Sequence, residues 1–152
     1  MTNKWYTMHI DFVQAFIQAP IEREIYMKIP PGMDINIENN KDYVLKVNNN
    51  LYGQVQAGKI WNEHLTKKLK KIGFKQCEND ECVFTKGENI YALYIDDSLL
   101  CGPHKEELNM IIHEMKLSGL QLTVEGTMSE FLGIEYETNK YARVWTLLFK
   151  IT

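Results

Sequence analysis

The chain has 152 residues, a hydrophobic content of 45%, an aromatic content of 11% and a formal net charge of −3. These values fit one globular domain with a sizeable core, and they argue against a disordered tail or a strongly basic, free-standing nucleic-acid binder. No stretch approaches the roughly 18 uninterrupted apolar residues of a membrane span and Met1 to Lys4 opens no signal peptide, so no membrane partner and an intracellular location are expected.

Tyr6, Met8 and Ile10 alternate with Thr7, His9 and Asp11, which predicts a half-buried strand ending on a carboxylate. Phe12 to Gln18 reads as a short helix broken by Pro20, and Ile25 to Ile29 as a strand stopped by Pro30-Pro31-Gly32. Met33 to Asp42 is polar and reads as a loop, Tyr43 to Val47 as a strand, and Asn48-Asn49-Asn50 as a turn. From Gln56 the period becomes helical. Trp61, Leu65, Leu69 and Ile72 form one stripe and Gly73 caps it, while Lys67, Lys68, Lys70 and Lys71 lie largely off the stripe, as on a solvated face.

Cys82 to Thr85 and Ile90 to Ile95 pattern as a hairpin around Lys86-Gly87-Glu88-Asn89, with Leu99-Leu100 in a return strand. Asp96 and Asp97 then occupy a tight connection between neighbouring strands. Hairpin loops favour Asn-Gly or Asp-Gly, and adjacent carboxylates repel, so local folding alone does not account for the pair. A divalent cation with hard oxygen ligands would turn it into a site; a solvated acidic turn is the plainer reading.

Gly102-Pro103 closes that strand, and a helix is expected over Lys105 to Leu117. Leu108, Ile111, Ile112 and Met115 face inward in it, Glu106-Glu107 sits at its positive N-terminus and Gly119 follows its end. Leu120, Leu122 and Val124 alternate as a strand, Phe131 to Tyr136 reads as another, and Tyr141 to Thr152 matches no template. His9, His64 and His113 fall within strand or helix patterns and read as structural. The expected fold class is α+β, an antiparallel sheet with helices packed on one face in a split β-α-β, ferredoxin-like order. In such a sheet Asp11 can lie beside Asp96, so that carboxylates from two segments converge.

Asp11-Phe12-Val13-Gln14-Ala15-Phe16, followed by Glu24-Ile25-Tyr26-Met27 and Pro30-Pro31-Gly32, resembles the D-V-K-T-A-F, E-I-Y-M and P-P-G block of copia-type retrotransposon reverse transcriptases. Leu51-Tyr52-Gly53-Gln54-Val55-Gln56-Ala57-Gly58-Lys59-Ile60-Trp61 is similar to the L-Y-G-L-K-Q-A-G-R-x-W block. Tyr94-Ile95-Asp96-Asp97 resembles the Y-V-D-D box, and Phe131-Leu132-Gly133-Ile134-Glu135 the F-L-G-I-E segment. The resemblance runs from about residue 5 to residue 137. It implies a reverse-transcriptase palm over 1–137 with Ile21 to Tyr52 inserted as partial fingers, and a segment 138–152 outside the resemblance. The upstream fingers, the thumb and the RNase H segment are expected to lie outside the chain.

The resemblance further implies an RNA-directed DNA polymerase that joins deoxynucleotides to a primer 3′-hydroxyl by two-metal nucleotidyl transfer. Asp11 and Asp96 would be the principal ligands of two Mg²⁺ ions, with Mn²⁺ as a substitute, Asp97 the supporting carboxylate and the Phe12 carbonyl a further ligand. Phe16 corresponds to an aromatic gate against a ribose 2′-hydroxyl, Gln56 to a nucleotide or template contact, and Tyr94 and Lys59 to primer or template contacts. Implied partners are an RNA or DNA template with its primer, deoxynucleotides, and the remaining polyprotein segments: integrase, thumb and RNase H. The implied setting is a cytoplasmic particle or the nucleus.

Gln54-Val55 stands where the family has Leu-Lys, and Val13-Gln14 where it has Lys-Thr. Lys59 replaces an arginine and loses that residue's planar fork of donors. None of these departures removes a carboxylate. Two other readings remain open at this point. One is a catalytically inactive transposon remnant that at most binds nucleic acid. The other is a small zinc module built from Cys77, Cys82, Cys101 and His104, although three cysteines, few and odd in number, fit a reducing compartment better than a disulfide framework.

Overall fold

Alternation sets the first strand: Met8, Ile10 and Phe12 are buried, and Thr7, His9 and Asp11 between them are only partly so. In the computed structural model, residues 5–33, 43–125, 130–131 and 134–135 are described. The expected loop from residue 34 onward and the segment Tyr141 to Thr152 lie outside them. The elements in chain order are β1 (Tyr6–Phe12), α1 (Ala15–Gln18), β2 (Pro20–Lys28), β3 (Val44–Asn49), α2 (Ala57–Lys71), β4 (Lys75–Gln76), β5 (Val83–Lys86), β6 (Asn89–Tyr94), β7 (Asp97–Gly102), α3 (Lys105–Leu117), β8 (Leu122–Glu125), β9 (Glu130–Phe131) and β10 (Ile134–Glu135). They fall into two units, one of residues 1–13 and 67–152 and one of Gln14–Thr66, the second containing the Ile21 to Tyr52 segment.

The first unit is built on a six-stranded sheet in the order β4-β5-β6-β7-β1-β8, with every neighbouring pair antiparallel. The four strands at one end, β6-β7-β1-β8, have the strand order of a split β-α-β arrangement: β1 lies between β7 and β8, the strands on either side of α3 in sequence. The α+β, antiparallel class read from the sequence is the class observed. One face of this sheet is buried. Met8, Ile10, Phe12, Tyr91, Leu93, Ser98, Leu100 and Leu122 contribute to it, and Tyr91 Oη donates to Ser98 Oγ at 2.7 Å. Leu108, Ile111, Ile112 and Met115 of α3 are buried as their spacing predicts. Leu108 comes so close to Gly102 that a β-carbon there would lie 3.0 Å from Leu108 Cδ2 and 2.0 Å from Asn89 Oδ1. Each fully buried Leu, Ile or Phe contributes about 1.5–3 kcal/mol.

Both long helices stop by the same device. Phe74 N–H donates to Leu69 O (3.0 Å) and Gly73 N–H to Lys70 O (3.1 Å), while Leu120 N–H donates to Met115 O (3.3 Å) and Gly119 N–H to Lys116 O (3.0 Å). Gly73 and Gly119 have φ of +96° and +87°, the left-handed turn that closes a Schellman motif. The residues so joined, Leu69 with Phe74 and Met115 with Leu120, are all buried. The stripe Trp61, Leu65, Leu69 of α2 is fully buried.

In the second unit β2 and β3 pair antiparallel, with Ile25 opposite Val47 and a register shift between Pro20 and Ile25. The Asn48-Asn49-Asn50 turn expected from the sequence is not a turn. Asn48 and Asn49 continue β3, and the run anchors α1: Asn49 Nδ2 donates to Ile17 O (2.6 Å), and Asn50 donates to Ala19 O through Nδ2 (2.9 Å) and N–H (3.2 Å). A four-residue helix leaves terminal carbonyls unpaired, and these side chains meet that need.

Two further readings change. The two-residue strand β4, too short to show a period, escapes the sequence analysis. The single strand expected over Phe131 to Tyr136 is replaced by β9 and β10, paired antiparallel with Ile134 opposite Phe131, which is hairpin pairing. Among the described residues no helix is long and apolar enough to cross a membrane.

Candidate active site

Residues paired directly across antiparallel strands project to the same side of the sheet. On the side away from the buried face this makes two rows in the first unit. One runs Tyr94, Asp97, Asp11, Thr123 across β6, β7, β1 and β8, and the next runs Ala92, Leu99, His9, Glu125. The pairing of Tyr94 with Asp97 leaves a loop of two residues, Ile95 and Asp96. Only Asp96 therefore sits in the tight connection. Asp97 opens β7, because its backbone is taken up in the ladder opposite Tyr94 on one side and Asp11 on the other.

The loop is formed at a cost. Ile95 has φ of +55°, a left-handed conformation that costs an L-residue about 1–2 kcal/mol and is rarer still for a β-branched one. Ile95 holds the loop position where a glycine would be favoured.

Asp11 is partly buried, and its carboxyl is pushed above the usual carboxylate range, first by burial and then by the negative charges of Glu125, Asp96 and Asp97; His9 opposes the shift. His9 is more enclosed than the two carboxylates it touches. Its side chain is 14% exposed, against 51% for Asp97 and 63% for Glu125. Nε2 lies 3.3 Å from Asp97 Oδ1 and Nδ1 lies 3.1 Å from Glu125 Oε2. A neutral imidazole carries one N–H and a protonated one carries two, so in either tautomer at least one of these contacts is a donated hydrogen bond.

Among the described residues no three His, Cys, Asp or Glu side chains are gathered as a ready ligand set. The donor chemistry nonetheless suits a hard divalent cation. Asp11, Asp96 and Asp97 offer only oxygen, and the mutual repulsion registered at Asp11 is what such an ion would relieve. The zinc reading does not hold. Cys77, Cys82, Cys101 and His104 are not brought together, the three cysteines are free, and burial pushes the Cys101 thiol up to about 11, away from the thiolate a zinc site needs.

Of the other residues implied by the motifs, Phe12 is buried at the end of β1, and Tyr94 is half exposed at the end of β6. Phe16, Gln56 and Lys59 belong to the second unit. There the Phe16 ring lies 4.8 Å from that of Tyr52 at 50°. Gln56 is exposed just before α2, its carbonyl accepting from Ile60 N–H at 3.0 Å. Lys59 is exposed, with Nζ 3.9 Å from Glu63 Oε1. Sequence reasoning missed His9 and Glu125. The period of β1 already places His9 on the face of Asp11, but the register that brings Glu125 opposite it has no local signature.

The family model described as "Reverse transcriptase (RNA-dependent DNA polymerase)" matches residues 1–147, past the last of the motifs quoted above. The "Putative transposon Ty5-1 protein YCL074W" of Saccharomyces cerevisiae is 35% identical over 130 residues, covering 82% of this chain and 41% of that protein. The "Transposon Ty1-MR1 Gag-Pol polyprotein" of the same yeast is 26% identical, covering 95% of this chain and 8% of the polyprotein. The "Transposon TyH3 Gag-Pol polyprotein" gives the same figures of 26%, 95% and 8%. The chain thus spans less than half the length of each of these curated relatives. No solved structure matches it. With a match over nearly the whole chain and relatives that are transposon proteins, the chain belongs to the reverse transcriptase (RNA-dependent DNA polymerase) family, in its copia-type retrotransposon branch.

Proposed function

We propose that this chain is the palm of an RNA-directed DNA polymerase, which adds deoxynucleotides to a primer 3′-hydroxyl on an RNA or DNA template. The observation that carries the reading is the row Tyr94, Asp97, Asp11 on the uncovered side of the sheet, with Asp96 in the turn beside it. In the reaction the hydroxyl oxygen attacks the α-phosphorus in line, one P–O bond forms, and the bond to pyrophosphate breaks.

Asp11 and Asp96 as principal ligands, Asp97 in support and the Phe12 carbonyl as a further donor would hold two Mg²⁺ ions, or Mn²⁺ in their place. Bound there, the ions supply Lewis-acid activation of the hydroxyl and neutralise charge on the leaving pyrophosphate. The chain's own contribution is placement. Asp11 and Asp97 stand on hydrogen-bonded strands, so their spacing is set before substrate arrives and little reorganisation is needed. Phe16, packed on Tyr52, is the proposed gate against a ribose 2′-hydroxyl. Gln56 is the proposed nucleotide or template contact, and Tyr94 and Lys59 the proposed primer or template contacts. The relatives include Gag-Pol polyproteins of which this chain covers 8%, so thumb, RNase H and integrase segments are its proposed partners.

Primer extension on an RNA template with Mg²⁺ tests the reading. The 152-residue chain should extend the primer, and Asp96→Asn should lower the rate about a hundredfold or more. A wild-type rate equal to that of Asp96→Asn overturns it. A second reading, a non-catalytic remnant that still binds nucleic acid, draws support from the lack of a gathered ligand set among the described residues. Binding of primer-template without extension is its signature.

A further inference from the structure

We propose that His9 is a positioning residue for the carboxylates of this face, its enclosed ring standing within hydrogen-bond distance of both Asp97 and Glu125 and so limiting how Asp97 is presented beside Asp11. The inference rests on the cation-binding reading above and adds to it a residue that none of the motifs contains.

Placement is the first argument. His9 precedes Asp11 by two residues on the same strand, so strand geometry sends both side chains to the same face. β7 delivers Asp97 on one side of it and β8 delivers Glu125 on the other, so the ring is flanked by carboxylates from both neighbouring strands. The contacts are 3.3 Å to Asp97 Oδ1 and 3.1 Å to Glu125 Oε2.

Freedom of movement is the second argument. Asp97 and Glu125 are 51% and 63% exposed, and side chains so open sample several rotamers. The His9 ring, 14% exposed on a central strand, has little room to move, so a hydrogen bond to it removes freedom from the partner rather than sharing it.

Charge is the third. Glu125, Asp96 and Asp97 all act on Asp11 as like charges, and Glu125 is the strongest of them. Left to repulsion alone, Asp97 and Glu125 would turn outward from Asp11; an enclosed ring between them that donates to at least one opposes that. Partners of this kind behind metal-binding carboxylates, when removed, cost about 10–100-fold in metal affinity.

The test is Mn²⁺ binding by the full-length chain, read from the electron paramagnetic resonance of the free ion, with circular dichroism confirming that each variant is folded. Wild type should bind and Asp96→Asn should bind far more weakly. His9→Ala should weaken binding about tenfold, and His9→Gln, whose amide can still donate to Asp97, should recover most of the loss. A purely structural histidine would change the melting temperature and leave Mn²⁺ affinity alone. Wild-type affinity in His9→Ala, alongside loss in Asp96→Asn, overturns the role of His9 and leaves the cation-binding reading standing. His9→Gln as weak as His9→Ala also overturns it. Failure of wild type to bind Mn²⁺ overturns both. If His9→Ala does not fold, His9→Leu, close to the ring in size but without a donor, takes its place: about tenfold weaker binding supports the role, and unchanged affinity overturns it.

Discussion

Burial first, and then the negative charges of Glu125, Asp96 and Asp97, raise the proton affinity of Asp11 in the folded chain. In the unfolded chain those neighbours disperse and the carboxyl titrates in its ordinary range. The folded state is thus penalised at pH values above that range, and the penalty disappears as the pH falls through it. Asp11→Asn, in chelator-treated protein at pH 7, should therefore raise the melting temperature by about 1–3 °C, and the gain should vanish by about pH 3. Thermal melts at the two pH values check it, and equal melting temperatures at pH 7 would count against a penalty on the Asp11 charge from burial and like-charge crowding together. At this scale the sequence was partly legible. Asp11, Asp96 and Asp97 stand out through their motifs, and His9 was within reach of the two-residue period. Glu125 was not, because its approach to Asp11 and His9 depends on a register set by tertiary pairing.

At the scale of elements, the loop between β6 and β7 holds the tension. A two-residue hairpin loop with φ of +55° at its first position suits glycine, yet Ile95 stands there with half its side chain exposed. Relief of the left-handed strain outweighs the extra backbone entropy a glycine loses on folding. Ile95→Gly should therefore stabilise the chain by about 0.5–1 kcal/mol, seen as a higher urea midpoint with an unchanged slope. A lower midpoint would show that the Ile95 side chain contributes more than its backbone costs. Helices α2 and α3 were the most legible elements, since an apolar stripe and a glycine after it encode both the buried face and the stop. The asparagine run was misread for an instructive reason. Asparagine marks turns because its amide bonds nearby backbone, and here Asn49 and Asn50 spend that capacity on the carbonyls of Ile17 and Ala19, some thirty residues earlier in the chain.

For the molecule as a whole, cysteine chemistry reports whether the sheet is formed. Cys82 is exposed, whereas Cys101 lies within β7 and its thiol is pushed up to about 11 by burial. At pH 8 iodoacetamide should label Cys82 quickly and Cys101 only after denaturation, as read by mass spectrometry. The same shift has a stability consequence of definite sign. From about pH 8.5 to about 11 the unfolded chain releases the Cys101 proton while the folded chain keeps it, so stability falls across that window. Cys101→Ala should flatten the decline in alkaline melts. The α+β class was legible at this scale from the switch between two-residue and helical periods. The edge strand β4 was not, since two residues leave no periodic trace in the local sequence.

The place of β1 between β7 and β8 also bears on the order in which the chain can assemble. His9 is made before its partners Asp97 and Glu125, which lie 88 and 116 residues further on. At translation speeds of about 5–20 residues per second, β1 waits on the order of ten seconds before either neighbouring strand exists. During that interval it is an alternating apolar strand with both edges open. A nascent chain that has passed Tyr94-Ile95-Asp96-Asp97 but not yet reached Glu125 carries Asp11, Asp96 and Asp97, while β1 still lacks its partner strand β8.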